Sequence, residues 1–283
     1  METIHLLAIE EGKTQRKRLV NCVDRAINSE LGIAYPHTYI YSPPGLGKTY
    51  MVSKYLKEKD INYYEISGAL SMYVFGINLA TIKFRHPEEK VVIVVDDCDA
   101  LFKNDESINI MKNVLAGNKC YTYQKNITSQ MNQLTEFQSN AVSSFLIGDQ
   151  IGFRVPTDNF VFIFTSNFKL PTDLEAFGAN SNRAVSNRKL HLNAIRSRCN
   201  TVDFELNKIQ HFGWIGDVVL NDFNELNSNH KEEILIWLWM NWDRLNERSI
   251  RTIEKMMQII DLNQGEYQSL WSIDFLNNSE IWN

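Results

Sequence analysis

IYSPPGLGKT, residues 40–49, is the stretch on which the fold turns. It closes on Gly47-Lys48-Thr49, the end of the phosphate-binding pattern G-x-x-x-x-G-K-[ST], but the pattern's first glycine falls on Ser42. A phosphate cradle turns backbone N–H groups inward, which requires small residues where the chain bends tightly; Gly45 and Gly47 supply them. Lys48 would then reach the β- and γ-phosphates and the Thr49 hydroxyl would ligate Mg²⁺. Serine is small, and a residue at position 42 need not approach a phosphate. A β-type run, HTYIYS (37–42), precedes the loop, and a helical run with Val52, Tyr55 and Leu56 follows. The competing reading is a Gly-Pro turn with an accidental Lys-Thr.

Farther along, VVIVVDD (91–97) is an apolar run that ends in carboxylates. Its consecutive aliphatic residues suit a strand buried on both faces. Asp96 would orient the metal through its water shell, and Asp97 would polarise an attacking water. A strand running out into an acidic turn is the alternative, and the upstream loop argues against it. INYYEISG (61–68), NFVFIFTSN (159–167) and NTVDFEL (200–206) read as further strands. Strands alternating with helical stretches imply a parallel, helix-covered sheet. A first amphipathic helix is expected from residue 14 to about 30, with Leu19, Val20, Val23 and Ile27 at helical spacing. Beyond 206 the pattern is helical near 207–225, 231–243, 248–262 and 266–276. The tryptophans of ILIWLWMNW (234–242) are read as the core of that helical part rather than as a base-stacking platform.

Residues 117–158 are rich in Asn, Gln and Ser and lie between two strands, where a long loop is functional or disordered unless it folds on itself. KCYTYQK and IGFRVP would serve as arms of a hairpin.

The 283 residues are 44% apolar and 22% charged, enough for one large domain or a domain with a smaller appendage. A net charge of −5 gives no global basic field for nucleic acid. The one dense basic run, Lys13 to Arg18, is a solvated helix face or a phosphate or partner contact. Cys22, Cys98, Cys120 and Cys199 stand far apart, which argues against a zinc site and a disulfide framework. No signal peptide is visible, and the longest aliphatic run, Val91 to Val95, is too short to span a bilayer. A cytoplasmic setting is the expectation.

SPPGLGKT, VVIVVDDCDALF, VFIFTSN and NAIRSRC occur in the order and spacing of the AAA+ ATPases, which the chain resembles over essentially its whole length. The resemblance implies an α/β architecture: a P-loop parallel sheet covered by helices over residues 1–206, with the polar insert 117–158, then a small all-helical lid over 207–283. It implies a Mg-dependent ATPase with ATP and Mg²⁺ as cofactors. Pro44, Gly45, Leu46, Gly47, Lys48, Thr49 and Tyr50 would hold the nucleotide, and Thr49 and Asp96 the metal. Asn167 resembles sensor 1. AIRSRC (194–199) resembles the arginine-finger segment, with Arg198 the first choice and Arg196 the second. In NERSIRTIEKM (246–256), Arg251 is the sensor 2 choice and Arg248 the alternative. A finger acting on a neighbour's nucleotide implies self-association into a ring or partial ring.

The family carries Asp-Glu where this chain has Asp96-Asp97. Aspartate is one methylene shorter, roughly 1.5 Å of reach, and a misplacement on that scale costs on the order of 100-fold in rate. Slow hydrolysis with intact binding would suit a switch. SMYVFGIN (71–78) resembles the pore loop of ring translocases, in which Tyr73, Val74 and Phe75 would grip a polymer; it also reads as the start of a buried helix. SRC (197–199) resembles the finger motif of clamp loaders. Three functions stay open: a motor or remodeller acting on protein or DNA, a loader-like switch in replication, and a non-catalytic nucleotide-binding assembly subunit. No membrane partner is expected.

Overall fold

The computed structural model describes residues 3–30, 36–97, 99–116, 119–148, 152–177, 183–262 and 267–277. Cys98, the start of the polar insert and residue 151 of its second arm lie outside them. The chain opens with α1 (Thr3–Ile27), β1 (His37–Tyr41), α2 (Lys48–Glu58), β2 (Tyr63–Ser67), α3 (Met72–Arg85) and β3 (Val91–Asp96). A single 3₁₀ turn (Asp99–Phe102) leads to α4 (Asp105–Val114). Next come β4 (Cys120–Tyr123), α5 (Thr128–Met131), α6 (Glu136–Ser143), β5 (Leu146–Ile147), β6 (Gly152–Pro156) and β7 (Phe160–Ser166). The remainder is α7 (Asp173–Phe177), α8 (Arg183–Arg196), β8 (Cys199–Asp203), α9 (Lys208–Asp222), α10 (Ser228–Asn241), α11 (Ile250–Leu262) and α12 (Tyr267–Phe275).

These elements fall into two compact units: Val20–Ser42 with Lys48–Phe204, and Met1–Leu19 with Pro43–Gly47 and Glu205–Asn283. The first is built on a five-stranded sheet in the order β2-β3-β7-β1-β8, parallel at every pairing. All seven residues of β7 and the first five of β3 are buried. That is the expected state of central strands covered on both faces, and it is why their sequences are unbroken in apolar residues.

The expected hairpin arms do pair. β4 lies antiparallel to β6, with Tyr121 opposite Val155, and β5 completes a second sheet of three strands in the order β4-β6-β5. The polar stretch between the arms folds as α5 and α6. Thr135 and Gln138 close a reciprocal capping box on α6, which accounts for some of the polar residues there. The insert packs on α3 through aromatic side chains: Tyr73 lies 5.5 Å from Tyr123 and Phe75 lies 6.1 Å from Tyr121, ring centre to ring centre.

The second unit is helical. Asn207 and Asn227 cap α9 and α10. Trp237 and Trp242 are buried, as expected of a helical core, while Trp239 stacks edge-on to Phe212 at 4.9 Å with the Lys208 ammonium over its ring. The first eleven residues of α1 were not expected to be helical. At Ala8 and Gly12 its backbone meets that of α9: a Cβ on Gly12 would stand 2.0 Å from the Gly213 carbonyl oxygen, and one on Gly213 would stand 1.7 Å from that of Ala8. Within the basic run, Arg16 bonds to the buried carboxylates of Asp217 and Asp222, so it serves the packing of α1 on α9.

Candidate functional site: a phosphate loop and an acidic strand tip

Parallel register brings the ends of β1, β3 and β7 to one edge of the sheet, with Tyr41 opposite Ser166 and Asp96 opposite Thr165. Carboxyl ends of parallel strands are where open α/β sheets bind ligands. Lys48 is the first residue of α2, and its side chain is buried. Its Nζ donates to the Ser42 carbonyl at 3.1 Å and to Asn167 Oδ1 at 2.7 Å. Asn167 Nδ2 in turn donates to Asp97 Oδ1 at 2.9 Å. One amide side chain therefore joins the lysine to the acid expected to act on water.

Ser42 explains the missing glycine. It is fully buried, its N–H donates to the Ser166 carbonyl at 3.3 Å, and its own carbonyl holds Lys48. Its backbone extends the β1–β7 pairing by one residue, where a β-region residue is favoured and glycine would bring only extra chain entropy to lose.

Asp96 Oδ1 accepts from Thr49 Oγ1 at 2.5 Å and from Thr165 Oγ1. Thr165 escaped notice in the sequence because a threonine in a strand needs no function; only the register reveals that it faces Asp96. Hydroxyl and carboxylate are hard oxygen donors, the kind Mg²⁺ takes one or two at a time while keeping water in its other positions. Among the described residues there is no group of three or more His, Cys, Asp or Glu that could hold a metal ion.

Asp97 is exposed and sits at φ +49°, with its N–H donating to the Thr165 carbonyl at 3.1 Å. Aspartate visits the left-handed region far more readily than most residues. The departure from the family's Asp-Glu thus coincides with a backbone turn that favours the shorter acid. Asp99 extends the polar edge by accepting from Ser166 Oγ at 2.6 Å.

The loop Pro43–Gly47 groups with the helical unit. Gly45 and Gly47 lie at φ +85° and +69°, conformations that only glycine adopts without strain. The Gly45 carbonyl accepts from the Ile250 N–H and the Leu46 carbonyl from the Trp214 indole N–H, each at 2.9 Å. A Cβ on Gly45 would stand 2.5 Å from Ser249 Cβ, and one on Gly47 would stand 2.6 Å from Ile250 Cδ1. Leu46 is buried, whereas Pro44 and Tyr50 are exposed.

The arginines behave differently from one another. Arg196 makes a two-pronged ion pair with Asp203, at 3.2 and 2.8 Å, and also donates to the Leu170 carbonyl. Arg198 follows α8 and turns its guanidinium back onto the Ala194 carbonyl. In the helical unit Arg248 is tied to the carbonyls of Trp242 and Asp243, while Arg251 is exposed in the first turn of α11. The Ser249 hydroxyl holds the Glu247 carboxyl below the usual carboxylate range, with Lys255 and Arg251 adding to the effect.

SMYVFGIN is the capped start of α3, not a loop. Ser71 accepts from the Val74 N–H, Phe75 is fully buried, and Gly76 leaves room for Tyr121, whose ring carbon Cε1 would lie 2.3 Å from a Cβ there. The aromatic–aliphatic–glycine pattern is satisfied by packing.

A family model for the ATPase family associated with various cellular activities (AAA) matches residues 38–176. No curated protein matches the chain. Among solved structures, AMPPCP-bound DnaA from Aquifex aeolicus aligns with a TM-score of 0.39 and 16% identity over 90% of this chain; the chain spans 64% of that protein's length. No helix among the described residues is long and apolar enough to cross a membrane. The matched region contains β1, the phosphate loop, Lys48, Thr49, Asp96, Asp97 and Asn167, and it is over this part of its α/β architecture that the chain is similar to the AAA family of ATPases.

Proposed function

We propose that this protein binds ATP with Mg²⁺ and hydrolyses it slowly, and that the nucleotide cycle drives an oligomer acting on a macromolecule. The observation that carries the reading is the Lys48–Asn167–Asp97 chain of hydrogen bonds beside the Thr49–Asp96 pair. In this reading Lys48 meets the terminal phosphates, Asn167 orients the attacking water, and Asp97 accepts its proton. Thr49 and Asp96 would hold Mg²⁺, which supplies charge neutralisation on the phosphate oxygens when bound. Residues 207–283 would form the lid and carry Arg251 toward the nucleotide, and Arg198 would act on the nucleotide of a neighbouring copy. A loader-like switch in replication is the second reading. It is favoured by Asp97, whose short side chain and fixed turn suit tight binding with slow turnover.

The test is ATP turnover with Mg²⁺, measured alone and with single-stranded DNA, duplex DNA or an unfolded protein. Stimulation by DNA selects the replication reading, and stimulation by protein selects the remodeller. Lys48→Ala should abolish nucleotide binding; unchanged binding in that variant refutes the site.

A further inference from the structure

We infer that Trp214 and the first residue of α11 are positioning elements for the phosphate loop: they aim two of its backbone N–H groups by holding the carbonyls on the opposite side of the same peptide planes. The inference rests on the nucleotide site proposed above. A peptide unit is planar and trans, so its C=O and N–H point in opposite directions. The Gly45 carbonyl is fixed toward the Ile250 N–H, which turns the Leu46 N–H away from α11. The Leu46 carbonyl is fixed toward the Trp214 indole, which turns the Gly47 N–H away from α9. These are consecutive N–H groups in the turn that leads into Lys48, the arrangement by which such a loop surrounds an anion.

The anchors are rigid. Trp214 is 1% exposed, and the residue before it is Gly213, whose backbone touches that of α1. Ser249 caps α11 through the Thr252 N–H, and this fixes where the Ile250 N–H points. Gly45 and Gly47, flexible in isolation, are therefore confined by contacts at Ser249 and Ile250. The loop is preorganised before any ligand arrives, and preorganisation raises affinity by lowering the ordering cost of binding.

Two variants remove one clamp each. Trp214→Phe keeps an aromatic ring and deletes the donor. Ile250→Pro deletes the other donor at the first helical position, where proline is tolerated, and the extended backbone of a capping residue suits the position before proline. The assay is equilibrium binding of ADP and of a non-hydrolysable ATP analogue, by calorimetry at a temperature well below melting. The expected result is a Kd about tenfold higher for each variant, as when a buried carbonyl loses its partner. Amide hydrogen exchange of ligand-free protein should also be faster at Leu46 in Ile250→Pro and at Gly47 in Trp214→Phe. A purely structural role would lower the melting temperature and leave Kd and these amides unchanged; that result overturns the inference. If the unaltered protein binds neither nucleotide, the site itself is wrong. If it binds, Lys48→Ala does not, and both clamp variants bind normally, only the clamp is wrong.

Discussion

His37, the first residue of β1, makes the fold acid-sensitive in a way that can be calculated. Its ring is fully buried, 5.4 Å from that of Phe162, and its Nδ1 accepts from the Phe162 N–H at 3.2 Å. The imidazole is therefore neutral with its proton on Nε2. Burial, aided by the charge of Lys119, lowers its pKa from 6.5 to about 3. The unfolded chain takes up a proton near pH 6.5 and the folded chain does not, so stability is full above that value and declines as pH falls toward 3. Between pH 7.5 and 5.0 the loss from this one residue is about 2 kcal/mol, and it reaches about 4 kcal/mol by pH 3. His37→Asn retains an acceptor close to the Nδ1 position and does not titrate. Urea unfolding followed by far-UV circular dichroism at the two pH values should show the variant losing about 2 kcal/mol less than the parent. Equal losses in the two proteins would mean that His37 is not the buried base described.

Asp97→Asn should bind ATP as tightly as the parent and lose at least about 100-fold in turnover, read in single-turnover assays. Asp97→Glu should also be slower, because glutamate lacks aspartate's tolerance of φ +49° and its carboxylate overshoots Asn167; faster turnover would show that reach is limiting. Arg16→Met leaves the carboxylates of Asp217 and Asp222 buried without their cation and should cost about 3–5 kcal/mol in urea unfolding. Gly12→Ala, which improves helix propensity by about 1 kcal/mol in an open helix, should instead lower the melting temperature, because its Cβ meets the Gly213 carbonyl.

The elements legible in the sequence were those whose signal is local. VVIVV and FVFIF could only be doubly covered strands, and the loop beside them identified the P-loop. The insert's arms were visible as β-rich runs within polar sequence, and their pairing followed. What escaped depends on distant partners. The helix was expected to begin at residue 14, and only contact with Gly213 shows Gly12 to be an interior residue of α1. The glycine of SMYVFGIN matches a pore-loop pattern, yet it makes space for Tyr121, which lies in the insert. The bond from Trp214 to Leu46 joins residues 168 positions apart, and no pattern in either segment announces it. At the strand tip, the residue types at 48, 49, 96, 97 and 167 were readable, whereas the left-handed turn at Asp97 was not, because aspartate is equally at home in ordinary turns.

The glycine crossing of α1 and α9 bears on how the protein can be divided. The region that matches the family model begins at residue 38, and a boundary drawn there discards the helix against which α9 rests. The excised fragment would expose the Ala8 and Gly12 footprint on α9, leave Asp217 and Asp222 without Arg16, and loosen the residue beside Trp214. The opening helix is thus an integral strut of the helical unit, although it lies at the other end of the chain. Deletion libraries should find the first twenty residues as intolerant of removal as the strands around Lys48.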